Sequence, residues 1–183
     1  MYGACENPSQ PDANAVAAFK SWTASGFSPN QLVLGLPAYG YLSESSASHL
    51  RNRHTRIQEH DSEEESPRNV TKLLDEDGNS VGQILFRELV RQGALSRTVN
   101  PHMGRVDFVG ENGFERSWDL CSSTPFIRST LAYQLVTYDD PLSLSLKAAF
   151  ARTVGMLGVN IFDVHGDTDG WDLTNAVVSA LVA

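Results

Sequence analysis

The stretch GVNIFDVHGDTDGWDLTNA, residues 158–176, begins like a buried strand and ends like a helix. Between the two sit Asp163, Asp167, Asp169 and Asp172, with His165 among them. Three arrangements would put this much negative charge where a strand stops: a metal loop, a catalytic carboxylate cluster, or a polar turn at the rim of a barrel. His165, Asp167, Asp169 and Gly170 resemble the first half of a calcium loop, but such a loop needs a bidentate glutamate at its twelfth position, which is Ala176. Two acids at a fixed separation would suit general acid–base work, yet Asp169 and Asp172 equally suit the positive end of the helix that follows. The strand's period of two favours the third arrangement. Asn160 and Phe162 point to one side, Val159 and Ile161 to the other. One mixed face on an apolar strand fits a barrel whose lumen leads to a ligand site. The expectation is therefore Asn160 and Phe162 facing the lumen and Val159 and Ile161 against outer helices. Asp167, Asp169 and Asp172 then cap the turn and the final helix, His165 is a turn residue, and no metal is bound.

Working outward, the final helix starts near Trp171 and carries Leu173, Val177 and Leu181 on one side. Trp171 itself is expected in the core. Upstream, Asp139 and Asp140 read as a turn and helix cap before Pro141. Pro141 opens PLSLSLKAAFARTVG, where Leu142, Leu146, Ala149 and Thr153 form the predicted inner face before Gly155. Near the N-terminus, Val16, Phe19 and Trp22 stand at helical spacing within residues 13–25, and Gly26 is a stop. Leu32 to Leu36 is a short, continuous apolar run, as expected of a strand covered on both faces. Helices and strands thus alternate at both ends, an α/β layout interrupted once.

The interruption runs from Tyr41 to about Thr130. RNRHTRIQEHDSEEESPRN is polar and reads as a solvated loop, with residues 58–68 its least ordered part. Ser80 and Gln83 fit a capping box ahead of ILFRELVRQG, with Ile84, Leu85 and Leu89 as an apolar face and Gly93 as the end. VDFVGENGFERSWD reads as two strands around the turn Gly110 to Gly113. Short strands around one helix predict an α+β insertion.

The chain has 183 residues, 41% of them hydrophobic, and a net charge of −8, which argues against nucleic acid as a partner. No apolar run reaches membrane-spanning length, and MYGACENPSQ carries no signal-peptide pattern. Cys5 and Cys121 can pair or stay free as far as sequence shows, because a disulfide depends on spatial proximity. Asn69-Val70-Thr71 is a glycosylation sequon.

Four stretches in order resemble glycoside hydrolase family 18, the chitinases, especially fungal members: QLVLGLPAYGY, GQILFRELVRQGAL, GFERSWDLCSSTPF and VTYDDPLSLSLKAAFARTVGMLGVNIFDVHGDTDGWDLTNAV. The resemblance implies the C-terminal portion of a (β/α)8 TIM barrel, about strands seven and eight with flanking helices, carrying an α+β insertion domain. Its expected divisions are a barrel segment at 1–40, the chitinase insertion domain at 41–138 and a second barrel segment at 139–183. The first residues would then lie just after strand six. The implied substrates are chitin and β-1,4-linked N-acetylglucosamine oligomers, and the implied location is extracellular. No cofactor, nucleic acid or membrane enters this reading.

The family's catalytic signature, D-x-x-D-x-D-x-E, begins at none of the aspartates of this chain. Its glutamate protonates the leaving oxygen and an aspartate orients the substrate acetamido group, and neither has a counterpart here. No catalytic residue is therefore predicted. The implied substrate-binding residues are Tyr39 at the end of strand seven, Phe162 where the family has the tryptophan that floors its cleavage subsite, Trp118 as a cleft wall, and Asn160. The same placement predicts a disulfide between Cys5 and Cys121. Three readings follow: part of a chitinase whose catalytic half, the N-terminal half of the barrel, lies elsewhere or is lost, a non-catalytic remnant that holds chitin oligomers, or a truncated product with no function of its own. Three or fewer barrel strands leave unpaired edges, which weighs against self-sufficiency.

Overall fold

The structure is a computed structural model that describes residues 14–45, 47, 71–99 and 104–183. The first helix, α1 (Ala15–Ala24), is capped by the Asn14 side chain, which accepts from Ala17 N–H at 2.9 Å. It ends at Gly26, whose φ of +96° suits a residue without a side chain. The strand β1 (Val33–Pro37) follows and pairs in parallel with β9 (Gly158–Phe162), register Val33↔Gly158 to Pro37↔Phe162. Two further helices, α3 (Pro141–Thr153) and α4 (Asp172–Val182), pack on each other, and α3 packs on both strands of this pair.

The middle of the chain builds a separate sheet. It contains β2 (Tyr39–Glu44), β3 (Gly82–Leu85), β6 (Glu115–Asp119), β7 (Thr124–Ser129) and β8 (Gln134–Thr137) in the order β3-β2-β8-β7-β6, all antiparallel. A short helix α2 (Phe86–Arg91) follows β3, and β4 (Leu95–Val99) pairs with β5 (Val106–Gly110) as a ribbon. The cross-strand row Leu42, Val136, Ile127 is fully buried, because residues in register share a face. Ile84, Phe86, Leu89 and Phe108 complete that core, with the Phe86 and Phe108 rings edge to face at 5.0 Å. Burying a phenylalanine this fully stabilises by about 1.5–3 kcal/mol.

Several expectations need correction. β1 is not covered on both faces: Leu36 is buried but Val33 is 50% exposed. The strand pair has helices on one side, and among the described residues nothing covers the other. Likewise α1 buries none of its residues, and Trp22 meets Phe27 at the surface. Ser80 and Gln83 form no capping box. Gly82–Leu85 is strand, the helix starts at Phe86 without a side-chain cap, and Ser80 donates to Glu44 instead. Ile84 and Leu85 are therefore strand residues, because pairing with Tyr39 and Gly40 satisfies their backbone first. Gly93 does end the helix, at φ +79°.

The two strands around Gly110 to Gly113 exist but belong to different sheets, β5 with β4 and β6 with β7. On α3 the buried side is Ser143, Leu144, Ala148 and Ala151, whereas Leu146 and Thr153 are exposed. Both faces of that helix carry apolar residues, so periodicity selected the wrong one. Trp171 is 51% exposed in a left-handed conformation, outside the core. Leu173 and Val177 are buried as expected. The acidic loop 58–68, the sequon residues Asn69 and Val70, and Cys5 lie outside the described residues.

Candidate functional site

The C-terminal ends of β1 and β9 form a rim. In their register, Val33, Gly35 and Pro37 share a face with Gly158, Asn160 and Phe162. A Cβ at Gly35 would meet Asn160 Oδ1 at 3.5 Å, so the asparagine amide lies across that glycine. Phe162 is 63% exposed, while Val159 and Ile161 pack on the opposite side against the core. The alternation read from the sequence is the alternation found.

Beyond the strand ends, Ala38 organises the rim. Its N–H donates to the Phe162 carbonyl at 2.9 Å, and its carbonyl accepts from Phe86 N–H at 3.0 Å. Gly166 packs so closely on it that an added Cβ would overlap the Ala38 carbonyl. Strand β1, helix α2 and the turn after β9 therefore meet at one buried residue. Tyr39 follows directly, half-buried, with its ring edge to face on Tyr41 at 5.8 Å. Burial, then the neighbouring Tyr41, holds the Tyr39 phenol above its ordinary pKa, so it stays a neutral donor. Tyr41 is 59% exposed and lies on the same face of β2. The sequence reading passed over Tyr41, although a spacing of two from Tyr39 in a strand is the signal for a shared face.

Trp118 stands elsewhere. It lies half-buried on β6, the far edge of the sheet, three strands from β2 and so roughly 14 Å away. Register places it on the face of Ile127 and Leu42, opposite Tyr39 and Tyr41. The Arg116 guanidinium is 5.8 Å from its ring centroid, within cation–π reach. The structure brings Asn160 and Phe162 to the strand ends beside Tyr39, but not Trp118. Cys121 lies in the turn between β6 and β7.

The carboxylates of the rim and of α3 are engaged. Asp167, buried, accepts from Leu173 N–H and Thr174 N–H at 2.9 Å each and from the Thr174 hydroxyl at 2.7 Å, which caps α4. Asp172 accepts from Arg97 at 3.1 Å and from the Thr168 hydroxyl at 2.7 Å. Asp163 caps the short turn Val164–Gly166. Asp169 departs from expectation: its side chain is 97% exposed and reaches Arg87 at 3.2 Å instead of capping the helix. Two residues after Asp167, it points away from the free N–H groups. His165 sits in the turn, with Glu76 at 3.9 Å. Among the described residues no three His, Cys, Asp or Glu gather to hold a metal.

A second charged group is buried between sheet and helix. Asp140 caps α3 by accepting from Ser143 N–H at 2.8 Å, and takes a 2.5 Å hydrogen bond from Arg116. Asp139 pairs with Lys147 at 2.5 Å. Burial pushes the Tyr138 phenol far above its ordinary pKa. These contacts fasten α3 to the sheet. Such an arrangement positions elements.

The sequence profile of glycosyl hydrolases family 18 matches residues 1–167. The chain belongs to that family. A chitinase-like effector from Moniliophthora roreri is 24% identical over 174 residues, 89% of this chain and 40% of its own. A chitinase from Rhizomucor miehei, RmChi1, superposes with a TM-score of 0.60 at 25% identity, covering 90% of this chain and 42% of that one. Human YKL-39, described as a pseudo-chitinase with retained chitooligosaccharide binding, superposes at 0.66 with 16% identity, over 97% of this chain and 42% of that one. This chain thus spans about two fifths of these family 18 proteins. Their common fold is of TIM-barrel type.

Proposed function

We propose that this chain forms the C-terminal portion of a family 18 barrel, with β1 and β9 as strands seven and eight and an α+β insertion between them. Its divisions are 1–40, 41–138 and 139–183. It offers a contact surface for chitin oligosaccharides and does not itself cleave them. Hydrolysis of β-1,4-linked N-acetylglucosamine polymers then requires the family's D-x-x-D-x-D-x-E segment, supplied by the preceding half of the barrel. The observation that carries this is the open strand face ending in exposed Phe162, beside Tyr39 and Tyr41, with the rim carboxylates all committed to caps and ion pairs. Exposed aromatic rings offer apolar faces to sugar rings, and the neutral Tyr39 phenol and the Asn160 amide offer hydrogen bonds to hydroxyl and acetamido groups. The substrate role of Trp118 rests on the resemblance alone.

The non-hydrolytic reading follows because proton donation to the leaving oxygen needs a positioned acid. A fluorogenic chitobioside assay checks it: the expected result is no turnover above a mock preparation, and sustained turnover that co-purifies with the chain would overturn it. Extracellular location and a Cys5–Cys121 disulfide belong to the same proposal. Such a bridge closes a long loop and adds about 4–5 kcal/mol in the chain-entropy treatment. Thiol labelling of the non-reduced protein is expected to modify neither cysteine; modification of both would remove the bridge from the account.

A further inference from the structure

A cavity of about 460 Å³ opens between the β4–β5 ribbon, the start of α3 and one face of α4 from Asp172 to Ala180. Tyr39, Tyr41, Asn160 and Phe162 do not line it, although the rim carboxylate Asp172 does. Its volume lies in the range of small-molecule pockets. Its lining includes Arg97, Arg105 and Val106 from the ribbon side, and Asp172, Ala176 and Ala180, which stand four residues apart on one face of α4.

The hydrogen-bond inventory of these charged groups is uneven. Asp172 is already satisfied by Arg97 Nε at 3.1 Å and by the Thr168 hydroxyl. Arg97 spends only Nε on that contact among the described residues, leaving its two terminal nitrogens. Arg105 has a buried Nε with no acceptor, and its single ion-pair contact, Nη2 to Asp107, is a long 3.8 Å. That Nε is covered, so what the two arginines offer a ligand is their terminal nitrogens, which suit a group that brings acceptors. The two aspartates offset the formal charge of the two arginines. Attraction must therefore come from directed N–H groups, which favours a planar, forked acceptor over a diffuse anion.

We propose that this cavity binds a small organic carboxylate. The carboxyl group is forked by Arg105 with Arg97 beside it, and the apolar body lies against Val106, Ala176 and Ala180. Inorganic phosphate would satisfy the donors but leave these apolar side chains wet, and a neutral sugar would leave most donors short of charged acceptors.

The test titrates the full chain with octanoate, following backbone amides by NMR, with inorganic phosphate and N-acetylglucosamine as comparisons. Saturable shifts are expected at Val106, Ala176 and Ala180 with octanoate. Arg105→Gln should weaken binding about tenfold or more. Ala180→Leu, which keeps both arginines and fills the apolar side, should abolish it while preserving the circular dichroism spectrum. Octanoate shifts that survive both variants, phosphate binding as tight as octanoate, or no saturable shift at all would overturn the proposal.

Discussion

The β1–β9 pair, VLGLP and GVNIF, carries no charged residue, whereas the five-stranded sheet includes ERSWD and TPFIRS, yet it is the sheet whose apolar row is the better covered. In the sheet, Leu42, Val136 and Ile127 line up in register beneath Phe86 and Phe108, and every side chain in that row is buried. In the strand pair, Leu36, Val159 and Ile161 pack on the core while Val33 and Phe162 stand open. The sheet closes its core with its own helix and ribbon. A parallel pair needs covering on both faces, and the described chain supplies one. Region by region, the molecule separates residues that stabilise from residues that are free to meet a ligand.

The sharpest way to break this comparison is the same deletion at two phenylalanines. Phe86→Ala should cost about 3–5 kcal/mol, since it removes a fully buried ring packed on Phe108 and Tyr138. Phe162→Ala should change stability by less than about 0.5 kcal/mol, as expected of an exposed side chain. Urea unfolding of both variants checks the pair. Comparable losses would mean that the strand face is covered after all.

A second contrast uses glycine. At Gly40 an added Cβ would overlap the Thr137 carbonyl and the Tyr138 side chain, where β2 and β8 cross closely. Gly40→Ala should therefore cost about 1–3 kcal/mol as overpacking. Gly35→Ala meets only the Asn160 amide at ordinary contact distance and should be nearly silent in thermal melts. A larger loss at Gly35 would reverse the assignment of packed and open regions.

How much of this was legible in the sequence follows the same division. The alternation Val159/Ile161 against Asn160/Phe162 was readable because a strand's period is two and the two faces differ in chemistry. The cap at Asp140 was readable from Asp–Pro at a helix start. What failed was coverage: the run Leu32 to Leu36 looks doubly buried, but burial depends on neighbours that the local pattern does not name. The segment around Ser80 failed because a capping-box pattern and a strand compete for the same residues, and pairing with β2 prevailed. The inner face of α3 was misassigned because Leu, Ala and Ser occur on both sides of it. Phe162 and Tyr39 came from the family resemblance, and Tyr39, expected to end the strand before it, instead opens β2. Tyr41 required the register, and the Arg116–Asp140 bond required two segments 24 residues apart to meet.

The smallest effects concern the acidic turn. Asp167→Ala should cost about 0.5–2 kcal/mol, because it leaves the first N–H groups of α4 without a cap. Asp169→Asn should be close to silent, since that side chain is almost fully exposed and its Arg87 contact is screened by solvent. Differential scanning calorimetry orders the two. An effect of Asp169→Asn exceeding that of Asp167→Ala, or a melting temperature that rises with calcium, would contradict the capping assignment.

The central claim is that the open face at the ends of β1 and β9 contacts chitin oligosaccharides without cutting them. Its most direct test is a titration of the chain with N-acetylglucosamine tetramer, followed by two-dimensional NMR and by mass analysis of the sugar. The account predicts saturable shifts confined to Asn160, Phe162, Tyr39, Tyr41 and their neighbours, their loss in Phe162→Ala, and an intact tetramer at the end. Shifts absent from the rim, shifts unchanged by Phe162→Ala, or release of shorter oligomers would contradict it.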